Sequence, residues 1–344
     1  MNNEVAICLY EGMARLASRS GVGVAMRHQE HLYELLGWRL EPSIRGDYQI
    51  AHLNTVFPDT PMVADLAKLR KRKVVVHAHS TEEDFRGSFK ASHRVSGLFR
   101  RWIMTCYRKG DLVLTPTEYS KNLILGYGLD RPVEVISNGV DHQVFHPDEA
   151  AGARFRERYQ LSADRKIVIC VGLPIERKGV LDVIEVASRL PDVTFLWFGS
   201  INMRLLPQNI RDAIAKAPEN LRFMGFVEPS LLREAYCGAD LFLMATHEET
   251  EGIVMLEALA SQTPILVRDI PIYESWLQEG THVWKARDVD EFEQRIIAML
   301  NNDLPRLTAA GAKVAAKRDL PQIAQKLADI YARHGLVDDS YLLQ

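Results

Sequence analysis

Cysteine is scarce in this chain. The four residues, Cys8, Cys106, Cys170 and Cys237, form no C-x-x-C pair and sit mostly among apolar neighbours. That argues against a disulfide framework and for small core residues in a reducing compartment, the cytoplasm. Long hydrophobic runs are missing too: no stretch approaches ~18 apolar residues, and no basic segment leads into an apolar one at the N-terminus, so neither a spanning helix nor a signal peptide is expected. Any membrane contact is then peripheral. Strong charge is also lacking, since a net charge of -3 excludes a strongly basic nucleic-acid binder as a first reading. No sequence repeat or low-complexity segment is present.

What is present is a chain of 344 residues, 47% apolar and 25% charged, too long for one ordinary core, so two domains are expected. Their charges differ. Residues 1–146 hold 19 basic and 16 acidic side chains, residues 147–344 hold 23 and 29, and residues 60–110 alone hold 12 against 4.

In the second half, short apolar runs alternate with helix-period segments: KIVICVG (166–172), VTFLWFG (193–199), LRFMGF (221–226), LFLMAT (241–246), PILVRD (264–269) and HVWKA (282–286). Nearly continuous apolar strands between amphipathic helices predict a parallel sheet covered on both faces, a Rossmann-like domain. The first half repeats this with VAICLY (5–10), YQIAHLN (48–54), KVVVHAH (73–79), DLVLTPT (111–117) and VEVISNG (133–139). The polar stretch 146–165 separates them, giving domains of 1–150 and 151–325 and a tail of 326–344 that packs back on the first. Ligands of such sheets bind beyond the carboxyl ends of the strands.

The segment HEETEGIVMLEALASQTPILV (247–267) places Glu249 in the loop after a strand, Gly252 at the turn and Glu257 in the next helix. The first N–H groups of that helix, from Gly252, Ile253 and Val254, suit an anionic or hydroxyl-rich ligand. On the residues alone the alternative is that the acids merely decorate the helix start and its surface. Arg177 and Lys178 precede Gly179 after another strand, where two cations can stabilise a diphosphate leaving group without metal. Asp288 and Asp290 form a D-x-D, but they stand where a helix N-cap is expected. No other cluster has metal-ligand spacing, so no metal or other cofactor is expected.

E-x7-E followed by A-L-A-x-x-T-P resembles the motif of retaining glycosyltransferases of family 4. VGLPIERKGV (171–180), SNGVD (137–141) with Phe145 beyond it, and FMGFV (223–227) with Phe226 follow in the family's order. The resemblance spans essentially the whole chain and implies an α/β GT-B fold, with two Rossmann-like domains facing each other across a cleft. It implies a UDP-hexose donor, with Glu257 on its ribose, Glu249 on the transferred hexose and the Gly252–Val254 backbone completing the site. Many relatives carry Arg soon after the first glycine of the 171–180 loop, where this chain has Leu173, so Arg177 is expected to supply the guanidinium. Gly21 and Gly23, between the first strand and a helix, would meet the diphosphate. In HAHSTEEDF (77–85), alternation along the strand is expected to let only one histidine face the cleft, and His79 matches the family histidine near the sugar.

H-S-T-E-E-D-F and E-E-T-E-G-I-V-x-L-E-A-L-A also resemble stretches of bacterial diacylglycerol and monoglucosyl-diacylglycerol glycosyltransferases. That implies a glycolipid acceptor and work at the inner face of the cell membrane. Consistent with this, residues 86–109 hold seven Lys/Arg and no acid, with Leu98, Phe99, Trp102, Ile103, Cys106 and Tyr107 at helical spacing. A basic amphipathic helix of this kind suits an anionic lipid interface, with Arg100, Arg101, Trp102, Lys71 and Arg72 as candidate contacts; packing of the same stripe into the core is the alternative. Two other functions stay open: polysaccharide synthesis on a soluble or polyprenyl-linked acceptor, and a catalytically inactive lipid-surface module.

Overall fold

The computed structural model describes residues 5–10, 12, 21–162 and 164–338. In chain order its elements are β1 (Ala6–Tyr10), α1 (Gly21–Leu35), β2 (Arg39–Leu40), β3 (Ile50–Leu53), α2 (Thr60–Leu69), β4 (Lys73–His77), α3 (Glu82–Phe85), α4 (Ser92–Tyr107), β5 (Leu112–Thr115), α5 (Glu118–Gly126) and β6 (Val133–Val135). There follow α6 (Glu149–Arg158), β7 (Ile167–Val171), α7 (Val180–Arg189), β8 (Thr194–Phe198), α8 (Gln208–Ala215), β9 (Leu221–Gly225), α9 (Pro229–Gly238), β10 (Leu241–Met244), α10 (Ile253–Ala260), β11 (Ile265–Arg268), β12 (Trp284–Ala286), α11 (Val289–Leu300), α12 (Thr308–Ala316) and α13 (Leu320–Arg333). Two compact units result: Met1–Phe85 with Arg94–Gly139 and Arg318–Gln344, and Arg86–His93 with Val140–Lys317. The division thus falls at Gly139 and Lys317 rather than at 150 and 325, and Arg86–His93 goes with the second unit.

The first unit holds a parallel sheet in the order β2-β1-β3-β4-β5-β6. Its strands are apolar on both faces because both are covered. Val74 and Val76 pack with α2 and α4 residues such as Ala64, Ile103 and Tyr107 on one face. Val75, one step out of phase, packs with Leu32 and Tyr33 of α1 and with Ile323, Leu327 and Tyr331 of α13 on the other. The apolar stripe of α4 is therefore largely core: Ile103, Met104, Cys106 and Tyr107 are buried, and Trp102 Nε1 donates to the Val56 carbonyl (2.6 Å).

The second unit holds a parallel sheet in the order β12-β11-β10-β7-β8-β9. Helices α7 and α11 cover one face, with Val180, Val183, Phe292 and Ile296 in its core. Asp288 caps α11 by accepting from the Glu291 amide (3.0 Å), and Asp290 pairs with Arg189 (2.6 Å). The D-x-D is thus used locally. Gly179 ends a 3-10 turn in left-handed backbone (φ 73°) and starts α7, and a Cβ there would lie 2.1 Å from the Ala245 carbonyl oxygen. Only glycine satisfies both demands. Replacing Gly179 with Ala should cost about 2 to 4 kcal/mol from the backbone penalty plus overpacking; a urea midpoint equal to wild type would contradict this.

Candidate active site

In the second sheet the chain runs outward from β7 through β8 to β9, then returns to the other side of β7 for β10, β11 and β12. Order reverses between β7 and β10, and ligands bind at the carboxyl ends of strands at such a point. The loop after β7 carries Arg177 and Lys178, and the loop after β10 carries Glu249. The parallel neighbours bring all three together: Lys178 Nζ donates to Glu249 Oε1, and Arg177 Nη1 lies 3.7 Å from Glu249 Oε2. All three are largely buried, with Glu249 5% exposed. A carboxylate so placed costs several kcal/mol unless paired, and here two cations pair it. Beside them Tyr273 is fully buried, and burial followed by the charges of Glu249 and Glu248 pushes its phenol well upward, so it stays protonated. A hollow lies at the amino ends of β10 and β11, among Asp240, Pro264, Ile265 and Trp284, away from these groups.

Gly252 adopts left-handed backbone (φ 84°) and opens α10, which leaves the first-turn N–H groups of Ile253 and Val254 outside the helix ladder. Helix α10 is buried nearly all round, Glu257 included, and Tyr236 OH lies 3.0 Å from Glu257 Oε2. Glu257 is thus no surface residue. Burial first, then the Glu257 charge, raises the Tyr236 phenol well above its ordinary range and keeps it a donor. Phe226 follows β9 at the sheet's far edge and is 38% exposed. Leu173, in the loop after β7, packs against the core.

Sequence reasoning missed three residues that hold the Glu249 loop. Arg268, at the carboxyl end of β11, donates from Nε to the Ala245 carbonyl (3.0 Å), from Nη1 to the Arg287 carbonyl (2.7 Å) and from Nη2 to Asp182 Oδ2 (2.6 Å). His247 Nε2 also donates to Asp182 Oδ2 (2.7 Å), and the His247 amide donates to the Arg177 carbonyl (2.7 Å). A lone arginine ending an apolar strand was the only available signal.

In the first unit, Gly21 opens α1 and Gly23 lies buried in its first turn, both with helical backbone, so neither is the loop glycine that was expected. Residues 18–20 of that segment lie outside the described residues. His77 and His79 do not diverge: their rings stack at 4.1 Å, since positions two apart on a strand share a face, and His52 stacks on His77 at 5.6 Å. Gln29 Nε2 meets His77 Nδ1 (2.7 Å), Tyr33 OH meets His52 Nδ1, and His79 Nε2 lies 3.1 Å from Asn54 Oδ1. Burial drives His52 down to about 3, His79 to about 4 and His77 well below its ordinary value, so the column is neutral near pH 7.

The expected lipid-facing cations are partly committed elsewhere. Arg100 pairs with buried Glu82 (3.2 Å), and Arg72 pairs with Asp47 (2.9 Å), whereas Arg101 and Lys71 are exposed. Among the described residues no helix is long and apolar enough to cross a membrane.

Two Rossmann-like domains, each built on a parallel six-stranded sheet, are the architecture of the GT-B class of sugar-transferring enzymes. The Glycosyltransferase Family 4 profile matches residues 14–144, and that of Glycosyl transferases group 1 matches residues 153–317. The chain is 36% identical over 327 residues to the processive diacylglycerol alpha-glucosyltransferase of Acholeplasma laidlawii, covering 94% of this chain and 97% of the relative. It is 26% identical to the alpha-galactosylglucosyldiacylglycerol synthase of Streptococcus pneumoniae, covering 84% and 75%. Among solved structures, Anabaena Alr3699/HepE in complex with UDP and glucose superimposes with a TM-score of 0.74 at 16% identity, covering 96% of this chain and 100% of that one. This chain belongs to glycosyltransferase family 4 and is a sugar-transferring enzyme.

The histidine column sets a pH dependence. All three folded values lie below the unfolded 6.5, so the stability they contribute is complete above that pH. It is lost on acidification toward about 4 and then about 3, as the unfolded chain takes up protons the folded one does not, by up to about 1.4 kcal/mol per pH unit for each histidine. The urea midpoint should fall from pH 7 to pH 5, less steeply in His52→Gln; a flat midpoint would refute the assignment.

Proposed function

We propose that this enzyme transfers a hexose, glucose or galactose, from a UDP-sugar to a membrane glycolipid such as monoglucosyl-diacylglycerol, forming a diglycosyl-diacylglycerol with retained configuration. The observation that carries the reading is the junction of Glu249 with Lys178 and Arg177 at the switch point, beside the start of α10 and buried Glu257. Lys178, with Arg177, offsets the charge that develops on UDP as the glycosidic bond breaks, which removes the need for a metal. Glu249 accepts from hydroxyls of the transferred hexose, Glu257 from the ribose, and the Gly252–Val254 backbone donates to the donor. Phe226 borders the donor site. The departing phosphate takes the acceptor's proton on the same face, so the reaction needs no protein nucleophile. His79, in the first unit, follows the carboxyl end of β4. A neutral His79 acts there as a hydrogen-bonding group rather than an acid.

The lipid side of the reading draws on the diacylglycerol-directed relatives and on exposed apolar groups. Leu98 (66% exposed) and Val95 share α4 with exposed Arg94 and Arg101, and Met62 and Leu69 on α2 are exposed as well. Apolar side chains amid cations suit the inner face of the cell membrane.

Glu249→Ala should abolish product formation, scored by mass spectrometry with UDP-glucose and UDP-galactose offered alongside diacylglycerol and its monoglucosyl derivative. Retained turnover would remove the site assignment. Lys178→Ala should weaken UDP binding at least tenfold by calorimetry, the loss of about 1.4 kcal/mol of charge-assisted contact. Leu98→Glu combined with Arg101→Glu should stop co-sedimentation with phosphatidylglycerol vesicles while UDP affinity stays unchanged; continued sedimentation would exclude this surface.

A further inference from the structure

Between α3 and α4 the chain leaves the first unit at Phe85, gives Arg86–His93 to the second, and returns at Arg94. The excursion is pinned along its length. The Lys90 amide donates to the Leu205 carbonyl (3.2 Å), and His93 Nε2 lies 3.9 Å from Glu176 Oε2. Its centre meets the candidate site itself. The Arg177 amide donates to the Gly87 carbonyl (3.2 Å), and Arg177 Nε donates to the hydroxyl of buried Ser88 (3.1 Å). Gly87 adopts left-handed backbone (φ 68°), which turns its carbonyl into this contact.

Arg177 is thereby gripped from two sides. Opposite Ser88, its Nη1 donates to the Glu248 carbonyl (2.7 Å) and lies 3.7 Å from Glu249 Oε2, while its own carbonyl accepts from the His247 amide (2.7 Å). A guanidinium is a rigid plane on a flexible stem. Fixing Nε on one edge therefore decides where Nη1 points on the other. Without that anchor the stem regains rotamers, and the Glu249 loop loses its fixed donor.

We propose that Ser88 is a positioning residue for sugar transfer: this strap, through Arg177, sets the placement of the Glu249 carboxylate. The inference rests on the reading of Glu249 as the group that meets the transferred hexose. Ser88 itself touches no reacting atom, so its removal should slow the chemical step more than it weakens donor binding.

The test compares full-length Ser88→Ala, Ser88→Thr and Glu249→Ala, assayed by UDP release from whichever of UDP-glucose and UDP-galactose turns over, with monoglucosyl-diacylglycerol in mixed micelles. Ser88→Ala should lower kcat roughly tenfold to a hundredfold with little change in donor KM, as expected when a reacting group is displaced by up to about 1 Å. Its melting temperature should stay at the wild-type value, and Ser88→Thr, which keeps the hydroxyl, should restore kcat. Wild-type kcat in Ser88→Ala, a loss confined to KM, or a loss that Thr does not restore would each overturn the proposal. If Glu249→Ala is inactive while Ser88→Ala is normal, only the strap's role fails; an active Glu249→Ala removes the underlying reading.

Discussion

A carboxylate removed from water must be given charge or hydrogen bonds in return, and the second domain is organised around meeting that demand for Glu249. Lys178 and Arg177 reach it because β7 and β10 are parallel neighbours whose carboxyl-end loops emerge side by side. Gly179 lets α7 start directly against the Ala245 carbonyl, with no room for a side chain. Arg268 ties that same carbonyl to Asp182 in the first turn of α7. Loosening any of these contacts leaves a buried acid short of its cations, which is costly enough to make the arrangement cooperative.

The two domains place ionisable groups at their strand ends under opposite rules. In the second, opposite charges are packed together. In the first, three imidazoles are stacked with Gln29, Tyr33 and Asn54 around them, and burial keeps them neutral.

The basic segment that suggested a lipid surface proved composite. Its first residues form a strap on the second domain, its apolar stripe is mostly core, and Arg100 is paired with Glu82. Helical spacing of apolar residues reports that a face is covered but is silent about what covers it. Val95 and Leu98, with Arg94 and Arg101, stay exposed.

Much of this protein was legible before folding. The expected strands of both halves recur as β1, β3 to β6 and β7 to β12, because parallel strands covered on both faces must be apolar throughout; only the two-residue β2, too short to show a pattern, was missed. Glu249, Gly252 and Glu257 stood out for a similar reason, since a loop and the helix it feeds are contiguous in sequence. The chain alone could not show that Arg268, Asp182, His247 and Ser88 converge on that loop from separate elements. Nor could it show that His52, His77 and His79 form one column, or that the chain returns to the first domain at Arg318 rather than at 326. Those facts depend on strand order and chain crossing, which are decided by the burial of surfaces far apart in sequence. Local pattern encodes which face is covered; only the assembled fold determines by which partner.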